Sequence, residues 1–282
     1  MGTIQRAAGT ALIVFSVGAT AVDGSGLRAF ETLMRESGRT PGMTSRQFSL
    51  VEARKTGYLK SISAYLKSSL GVIDTNVMRA FSEVPREYFM YNYETDSPLA
   101  AHAYEGTPHP WAIGYGSYLS DYRAQAYMTQ VVHPGPSDVT LEIGTGSGFQ
   151  SAILSRMVRD AYSIEVVSAL GLKVDRIYGP LGYTNVHTRV GDGFYGWPEA
   201  KEGFDVIIVT CAVPFVPPPL LQQLKRNGRM IIPIGQPYKT QYLYVFTKDA
   251  NGRVHSRKDV RTYFVPLESP ALVAGSPRGP LS

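Results

Sequence analysis

Short apolar runs alternate with helical stretches in the second half of the chain, and this pattern restricts the fold more than any other feature. The apolar runs predict buried strands at residues 139–143, 161–164, 186–190, 204–209 and 229–234. Helical periodicity separates them at residues 148–159, 167–181 and 217–226. Such alternation is typical of parallel strands joined by crossover helices that cover both faces of the sheet. We therefore predict an α/β fold with a doubly wound, mostly parallel sheet.

The segments on either side add helices before this core and a hairpin after it. Apolar residues at helical spacing predict two helices within residues 45–88, with Asp74 or Thr75 as N-cap of the second, and a third helix at residues 121–132. The Asn251-Gly252 step predicts a hairpin turn between strands at residues 241–247 and 260–265. These two strands are expected to extend the sheet edge in antiparallel fashion.

Composition at the two ends predicts loosely ordered segments. Arg6 precedes an apolar stretch at residues 7–22, and Ala19-Thr20-Ala21 has the small-x-small form of a signal-peptidase site. The stretch contains glycine and serine and is shorter than the roughly 20 apolar residues of a spanning helix, so residues 1–44 are either signal-like or disordered. Residues 24–43 are expected to form a linker or loose arm, and residues 269–282 a disordered tail.

Charge and cysteine content exclude several classes of protein. The chain carries 28 Lys plus Arg against 23 Asp plus Glu, a formal charge of +5, and the basic residues are scattered. A solvated surface explains this better than a nucleic-acid face. Cys211 is the single cysteine, which excludes an intramolecular disulfide, and the five histidines lack the spacing of metal ligands. No metal site is expected.

Three alternating glycines stand where the first core strand passes into its helix. In Leu141-Glu142-Ile143-Gly144-Thr145-Gly146-Ser147-Gly148, glycine allows a sharp turn and lets a ligand approach the backbone closely. A nucleotide phosphate could use the same helix N-terminus. The spacing G-x-G-x-G, rather than G-x-G-x-x-G, favours S-adenosylmethionine, with Glu142, Gly144, Thr145, Gly146 and Gly148 as candidate binding residues.

Two further acidic residues stand at the ends of the next strands. Glu165 lies 165 − 142 = 23 positions after Glu142, where its carboxylate can accept hydrogen bonds from both ribose hydroxyls of the ligand. Asp192, between Gly191 and Gly193, is placed to accept from the adenine amino group. Ligands of open α/β sheets bind at the carboxyl ends of strands near the switch point, where these acids fall. A methyltransferase is favoured over a nicotinamide-binding domain.

Several sequence runs resemble the protein-L-isoaspartate O-methyltransferase family, across about residues 71–267. The Gly191-Asp192-Gly193-Phe194-Tyr195-Gly196-Trp197 run is the most family-specific of them. The others are the glycine loop, Tyr162-Ser163-Ile164-Glu165, Phe204-Asp205-Val206-Ile207-Ile208-Val209-Thr210, Val84-Pro85-Arg86 and Val265-Pro266-Leu267. The resemblance implies methylation, from S-adenosylmethionine, of the free carboxylate of L-isoaspartyl residues in damaged proteins and peptides.

The acceptor loop departs from the family pattern. Family members carry Gly-Tyr-Gly-Gln-Thr-Ile-Ser-Gln-Pro, and this chain has Gly114-Tyr115-Gly116-Ser117-Tyr118-Leu119-Ser120-Asp121-Tyr122. The resemblance implies that Ser120 is the catalytic residue, positioning the acceptor carboxylate, and that Ser117, Tyr118, Thr210 and Val213 belong to the substrate loops. The altered residues leave two alternatives: a different peptide or small-molecule carboxylate acceptor, or a non-catalytic homologue that binds S-adenosylmethionine.

The same interpretation predicts how the chain is organised and where it acts. Residues 45–268 form the methyltransferase domain, with helices and acceptor loop in residues 45–133 and the donor-binding core in residues 134–268. We expect a monomer. We expect it to act in the cytoplasm because S-adenosylmethionine is made in the cytosol. Export is the alternative if residues 1–21 act as a signal peptide. Its partners are isoaspartyl proteins or peptides, without nucleic acid or stable membrane association.

Overall fold

Residues 24–274, the part described by the computed structural model, begin with a helical layer and two small hairpins. In chain order these elements are α1 (Gly24–Glu36), α2 (Ser45–Leu70), α3 (Thr75–Glu83), β1 (Tyr91–Asn92), β2 (Ser97–Pro98), β3 (Trp111–Gly114), β4 (Ser117–Leu119) and α4 (Tyr122–Val132). Thr44 and Gln47 form a capping box at the start of α2, and the Asp74 side chain accepts from Asn76 N at the start of α3. The predicted helices and the Asp74 cap are confirmed.

The main sheet follows in the second half of the chain. Its strands are β5 (Val139–Ile143), β6 (Asp160–Glu165), β7 (Val186–Val190), β8 (Phe204–Val209), β9 (Leu224–Ile234), β10 (Gln241–Lys248) and β11 (Val254–Thr262), and its helices are α5 (Phe149–Ser155), α6 (Ser168–Tyr178), α7 (Pro218–Gln223) and, after β11, α8 (Pro270–Ala274). The seven strands have the order β11-β10-β9-β8-β5-β6-β7. The five strands β9, β8, β5, β6 and β7 are parallel to one another, and β10 and β11 are added at the β9 edge in antiparallel pairs. The predicted α/β fold is confirmed.

Strand β5 is the switch point of this sheet. The chain moves from β5 outward through β6 to β7 and then crosses to β8 on the other side of β5. All five residues of β5 are buried, because helices cover both of its faces. A cleft therefore opens at the carboxyl end of β5, where the connections to β6 and β8 diverge.

Among the differences from the sequence prediction, one concerns the burial of a strand and two concern the bounds of elements. Strand β7 was expected to be buried, but as an edge strand that pairs only with β6 it is half-exposed. Strand β9 begins at Leu224, which pairs with Phe204, so α7 ends at Gln223 instead of residue 226. Strand β11 begins at Val254 instead of residue 260, because the turn after Lys248 places Val254 directly opposite it.

The loose arm predicted at residues 24–43 is wrong, since much of it is helix α1. Phe30 and Met34, one helical turn apart, are fully buried. The Phe30 ring lies 5.0 Å from the Tyr88 ring and 6.3 Å from the Phe48 ring. Glycine, serine and arginine dominate the segment's composition and obscured this short apolar pair.

The predicted disordered tail is also wrong over residues 269–274. Ser269 is buried and α8 follows it. Residues 275–282 and the signal-like stretch at residues 7–22 lie outside the described residues.

Phe30→Ala tests whether α1 belongs to the folded core. We expect it to lower the free energy of unfolding by about 3 kcal/mol, the usual range for removing a buried aromatic ring. Leu50→Ala on α2, where the leucine is 47% exposed, is the control and should change stability by less than about 0.5 kcal/mol. Urea denaturation measures both, and equal small effects would place α1 outside the core.

Candidate functional site

A cavity opens at the carboxyl ends of β5, β6 and β8. It has about 1030 Å³ of space between protein atoms, open mouth included. One wall comes from the glycine loop and the ends of β5 and β6, and the opposite wall from the β3–β4 hairpin and residues 265–268. Of the predicted site residues it brings together Ser117, Tyr118, Ser120, Glu142, Gly144, Thr145, Gly146, Glu165, Gly193 and Thr210.

Glycine is required in the loop for packing as well as for ligand approach. Gly144 and Gly148 have φ values of +97° and +85°. A Cβ on Gly144 would lie 2.7 Å from Thr210 Oγ1, and one on Gly148 would lie 2.6 Å from the Tyr178 hydroxyl oxygen. Gly148 does not line the cavity; it lets α6 approach the start of α5.

Glu165 is fixed by backbone N–H groups on both of its oxygens. Gly146 N donates to Oε2 at 2.9 Å, and Val167 N donates to Oε1 at 3.0 Å. Burial raises the pKa of this carboxyl, while the backbone hydrogen bonds oppose the rise. The side chain lines the cavity with its free lone pairs available to a ligand.

Glu142 is 1% exposed and lines the cavity from β5. Its Oε2 accepts from the Ser151 hydroxyl and, at 2.9 Å, from the Ser163 hydroxyl. Burial raises the pKa of Glu142 to about 8, although the two serines favour the charged form. A cation in the cavity would shift this carboxyl toward ionisation.

Asp192 does not line the cavity, and both of its oxygens bond to the chain. Oδ1 accepts from Phe194 N at 2.9 Å and caps the turn Gly193–Tyr195, and Oδ2 accepts from the Ser269 hydroxyl at 2.7 Å. Gly191 also lies off the cavity, where its N–H donates to Glu165 O. Each Asp192 oxygen keeps a free lone pair, but the carboxyl lies off the cavity lining, so the role in adenine binding predicted for Asp192 stays a prediction.

The acceptor loop places Ser120 at the cavity and turns its altered neighbours in different directions. Asp121 caps α4 by accepting from Arg123 N at 2.7 Å. Tyr122 is buried with its ring 4.8 Å from that of Tyr58, and Tyr118 lies at the mouth, 48% exposed. The Asp121 carboxylate is thus engaged by the helix N-terminus, and only Tyr118 of these three residues lines the cavity.

Thr210 and Val213 were both predicted to contact substrate, but only Thr210 reaches the cavity. The Thr210 hydroxyl lies 2.9 Å from Ile143 O and 2.8 Å from Gly144 O, the carbonyls it can donate to. Val213 is fully buried, and its N–H donates to the carbonyl oxygen of Pro233 in β9. Pairing with the sheet draws Val213 away from the cavity.

Sequence reasoning missed several residues of the cavity wall. Gln125 and Gln150 face it from α4 and α5, Tyr238 stands at its mouth, and Cys211 lies behind Thr210. The two glutamines lie among the apolar residues of their helices, which masked them. Cys211 is 6% exposed, and this burial raises the pKa of its thiol.

The charge of the cavity distinguishes between S-adenosylmethionine and a dinucleotide as its ligand. Its described lining contains three carboxylates, Glu142, Glu165 and Glu268, and no lysine, arginine or histidine. A dinucleotide would bring an anionic pyrophosphate into this acidic site, whereas a sulfonium donor brings positive charge. The residues present fit S-adenosylmethionine.

The described residues contain neither a metal-type cluster nor a spanning segment. Within residues 24–274, no three His, Cys, Asp or Glu side chains are grouped so that they could bind a metal ion. In the same range, no helix combines the length and apolar character needed to cross a membrane.

Fold and site together define an S-adenosylmethionine-dependent methyltransferase of the doubly wound α/β class. The family model of protein-L-isoaspartate(D-aspartate) O-methyltransferase matches residues 60–271. The chain belongs to this family.

Individual relatives agree with that assignment. Protein-L-isoaspartate O-methyltransferase 2 of Syntrophobacter fumaroxidans is 45% identical over 195 residues, covering 69% of this chain and 76% of that protein. Protein-L-isoaspartate O-methyltransferase 1 of Nitrosospira multiformis is 43% identical, covering 68% and 78%. A solved protein-L-isoaspartate O-methyltransferase aligns with a TM-score of 0.64 at 27% identity, covering 76% of this chain and 66%, just under two thirds, of that one.

A structure from Plasmodium falciparum shares the fold at 22% identity. It aligns with a TM-score of 0.59 and covers 74% of this chain and 97% of its own; it was determined in complex with S-adenosyl-L-homocysteine.

Glu142→Gln should change how stability depends on pH. The pKa of Glu142 is about 8 in the folded protein against an ordinary 4.5, so wild-type stability falls as pH rises from about 4.5 to 8. The variant has no carboxyl at this position, so its free energy of unfolding should not fall in this way. Its stability relative to the wild type should therefore rise between these pH values, by about 1.4 kcal/mol for each unit between the folded and unfolded pKa of Glu142. Denaturation of donor-free protein at pH 5 and pH 8 measures it, with the exposed Glu36→Gln as control. A difference that does not change with pH would contradict the raised pKa.

Proposed function

We propose that the protein transfers the methyl group of S-adenosylmethionine to the free carboxylate of L-isoaspartyl residues in damaged proteins and peptides. The observation that carries this proposal is the shared cavity. Its donor wall has the glycine loop with Glu142 and Glu165, and its acceptor wall has Ser120. Donor and acceptor can therefore meet in one site.

The reaction asks mainly for alignment from the protein. When bound, S-adenosylmethionine supplies an electrophilic methyl group on a sulfonium, and an acceptor carboxylate is already ionised at neutral pH. Glu165 accepts hydrogen bonds from the donor's ribose hydroxyls, while Glu142 places negative charge beside the cationic donor. Ser120 donates to the acceptor carboxylate and holds it in line. Asp121 does not line the cavity, and its carboxylate is stabilised at the N-terminus of α4 by the N–H of Arg123.

The decisive experiment uses two peptides that differ only in having isoaspartate or aspartate at one position. Labelled S-adenosylmethionine should transfer its methyl group to the isoaspartyl peptide alone. Labelling of neither peptide by protein that binds the donor would overturn the proposed acceptor.

Ser120→Ala should slow this transfer about tenfold or more and leave donor affinity unchanged. The reason is the lost hydrogen bond to a charged acceptor, an interaction of about 1.5–3 kcal/mol. Ser120→Thr keeps the hydroxyl and should retain more activity than the alanine variant. Initial rates give the effect on transfer, and calorimetry gives donor affinity. Full activity of Ser120→Ala would remove Ser120 from the mechanism.

Asp192 is proposed to accept from the adenine amino group through a lone pair that Phe194 N and the Ser269 hydroxyl leave free. Asp192→Ala should weaken donor binding about tenfold, because a hydrogen bond to a charged group is lost. Ser269→Ala is the matched variant and should keep donor affinity, since it leaves the carboxylate of Asp192 in place. Calorimetric titration with S-adenosylhomocysteine tests both. Equal losses in the two variants would indicate that this contact only stabilises the C-terminal segment.

The cavity mouth favours one second candidate, a methyltransferase with another peptide or small carboxylate acceptor. Tyr118 occupies the position of the family's threonine, and Tyr238, 72% exposed, faces the same opening. Both rings can restrict what enters. A screen of carboxylate compounds with the labelled donor would separate this candidate from the first.

The protein is further proposed to act as a monomer in the cytoplasm, on isoaspartyl proteins or peptides and without nucleic acid. S-adenosylmethionine is made in the cytosol, which supports that compartment. Sedimentation tests the monomer, and fractionation of cells tests the location.

A further inference from the structure

The acidic cavity leaves one electrostatic question for an anionic acceptor. Glu142, Glu165 and Glu268 line it, and its described lining includes no basic side chain. The sulfonium of a bound donor attracts an acceptor carboxylate, and a positive potential behind Ser120 would add to that attraction. A buried cation lies directly behind the acceptor wall.

That cation is Arg86, in the turn Arg86–Phe89. Its side chain is buried at 2% exposure. One guanidinium nitrogen donates to Ser120 O at 2.7 Å, and the other donates to Gln125 Oε1 at 2.9 Å. Ser120 and Gln125 both line the cavity. The planar guanidinium thus fixes two residues of the acceptor wall at once.

The charge of Arg86 has no counter-ion in direct contact. Among the described residues no carboxylate lies within 4.0 Å of its nitrogens. Glu87, its neighbour in sequence, pairs with Lys55 at 2.9 Å and accepts from the Tyr104 hydroxyl. The negative charge of Asp121 favours the charged form of Arg86 from a distance, without a direct ion pair. Burial opposes that effect and lowers the pKa of Arg86.

The surroundings of Arg86 are otherwise neutral. Its guanidinium carbon lies 4.9 Å from the centre of the Phe149 ring and 5.7 Å from that of Tyr122. Hydrogen bonds to neutral acceptors and aromatic faces stabilise a buried cation without cancelling its charge. The positive potential therefore extends toward the cavity through Ser120 and Gln125.

We propose that Arg86 is a positioning residue that orients Ser120 and Gln125 and whose buried charge, not paired with any contacting carboxylate among the described residues, selects an anionic acceptor. This inference rests on the proposed carboxyl methylation. It assigns acceptor specificity to a side chain that does not itself line the cavity.

The test compares Arg86→Gln with Arg86→Lys, which keeps the charge but not the planar contact with two acceptors. Each variant, loaded with S-adenosylhomocysteine, is titrated with an isoaspartyl peptide and with the same peptide carrying a carboxamide in place of the free carboxylate. Arg86→Gln should weaken binding of the anionic peptide about tenfold and binding of the neutral peptide less than about twofold. Arg86→Lys should restore much of the preference for the anionic peptide, while kcat stays low because Ser120 is no longer fixed.

The outcomes separate the inference from the function it rests on. Equal weakening for both peptides, or unchanged binding of both, overturns the role of Arg86 while the wild type still methylates the isoaspartyl peptide. Failure of the wild type to methylate or bind that peptide overturns the proposed function and this inference with it. If Arg86→Gln does not fold, Arg86→Lys carries the test. It should keep the preference for the anionic peptide while kcat falls, and loss of that preference, or an unchanged kcat, would overturn the inference.

Discussion

The site depends on the bonds that connect three parallel strands at the end of β5. Glu165, closing β6, accepts from the N–H of Gly146, while Thr210, after β8, lies within hydrogen-bonding distance of the carbonyls of Ile143 and Gly144. The glycine loop is therefore fixed from both sides by side chains of neighbouring strands. Because buried polar groups are costly when unpaired, these contacts favour one loop shape and the cavity forms above it.

Charge is distributed unequally across that cavity. Carboxylates line its interior, where they suit a cationic donor, while the nearest buried cation, Arg86, lies behind the acceptor wall. Neither arrangement relies on exposed ion pairs, which contribute little in water. Charges are screened weakly in surroundings of low polarity, so a small number of charged groups is enough to make the potential negative inside the cavity and positive behind the acceptor wall.

Sequence alone predicted the parts of the molecule governed by local periodicity and backbone geometry. The core strands, the glycine loop and Glu165 are examples, because strand burial and a sharp turn leave signals in neighbouring residues. Helix α1 escaped prediction since its two buried residues, Phe30 and Met34, stand in a polar segment. The bonds of Asp192 to Ser269 and the burial of Val213 depend on distant parts of the chain meeting, which no local pattern records.

The packing of α1 and α2 determines how far the N-terminal side of this chain can be truncated. The family match begins at residue 60, within α2. A chain shortened to that boundary would lose Lys55, whose ammonium neutralises Glu87, and Phe30, which covers Tyr88. Both contacts support the turn that carries Arg86. The segment that the family model matches is thus smaller than the part of the chain that supports the acceptor wall, because residues before it pack against the turn that carries Arg86.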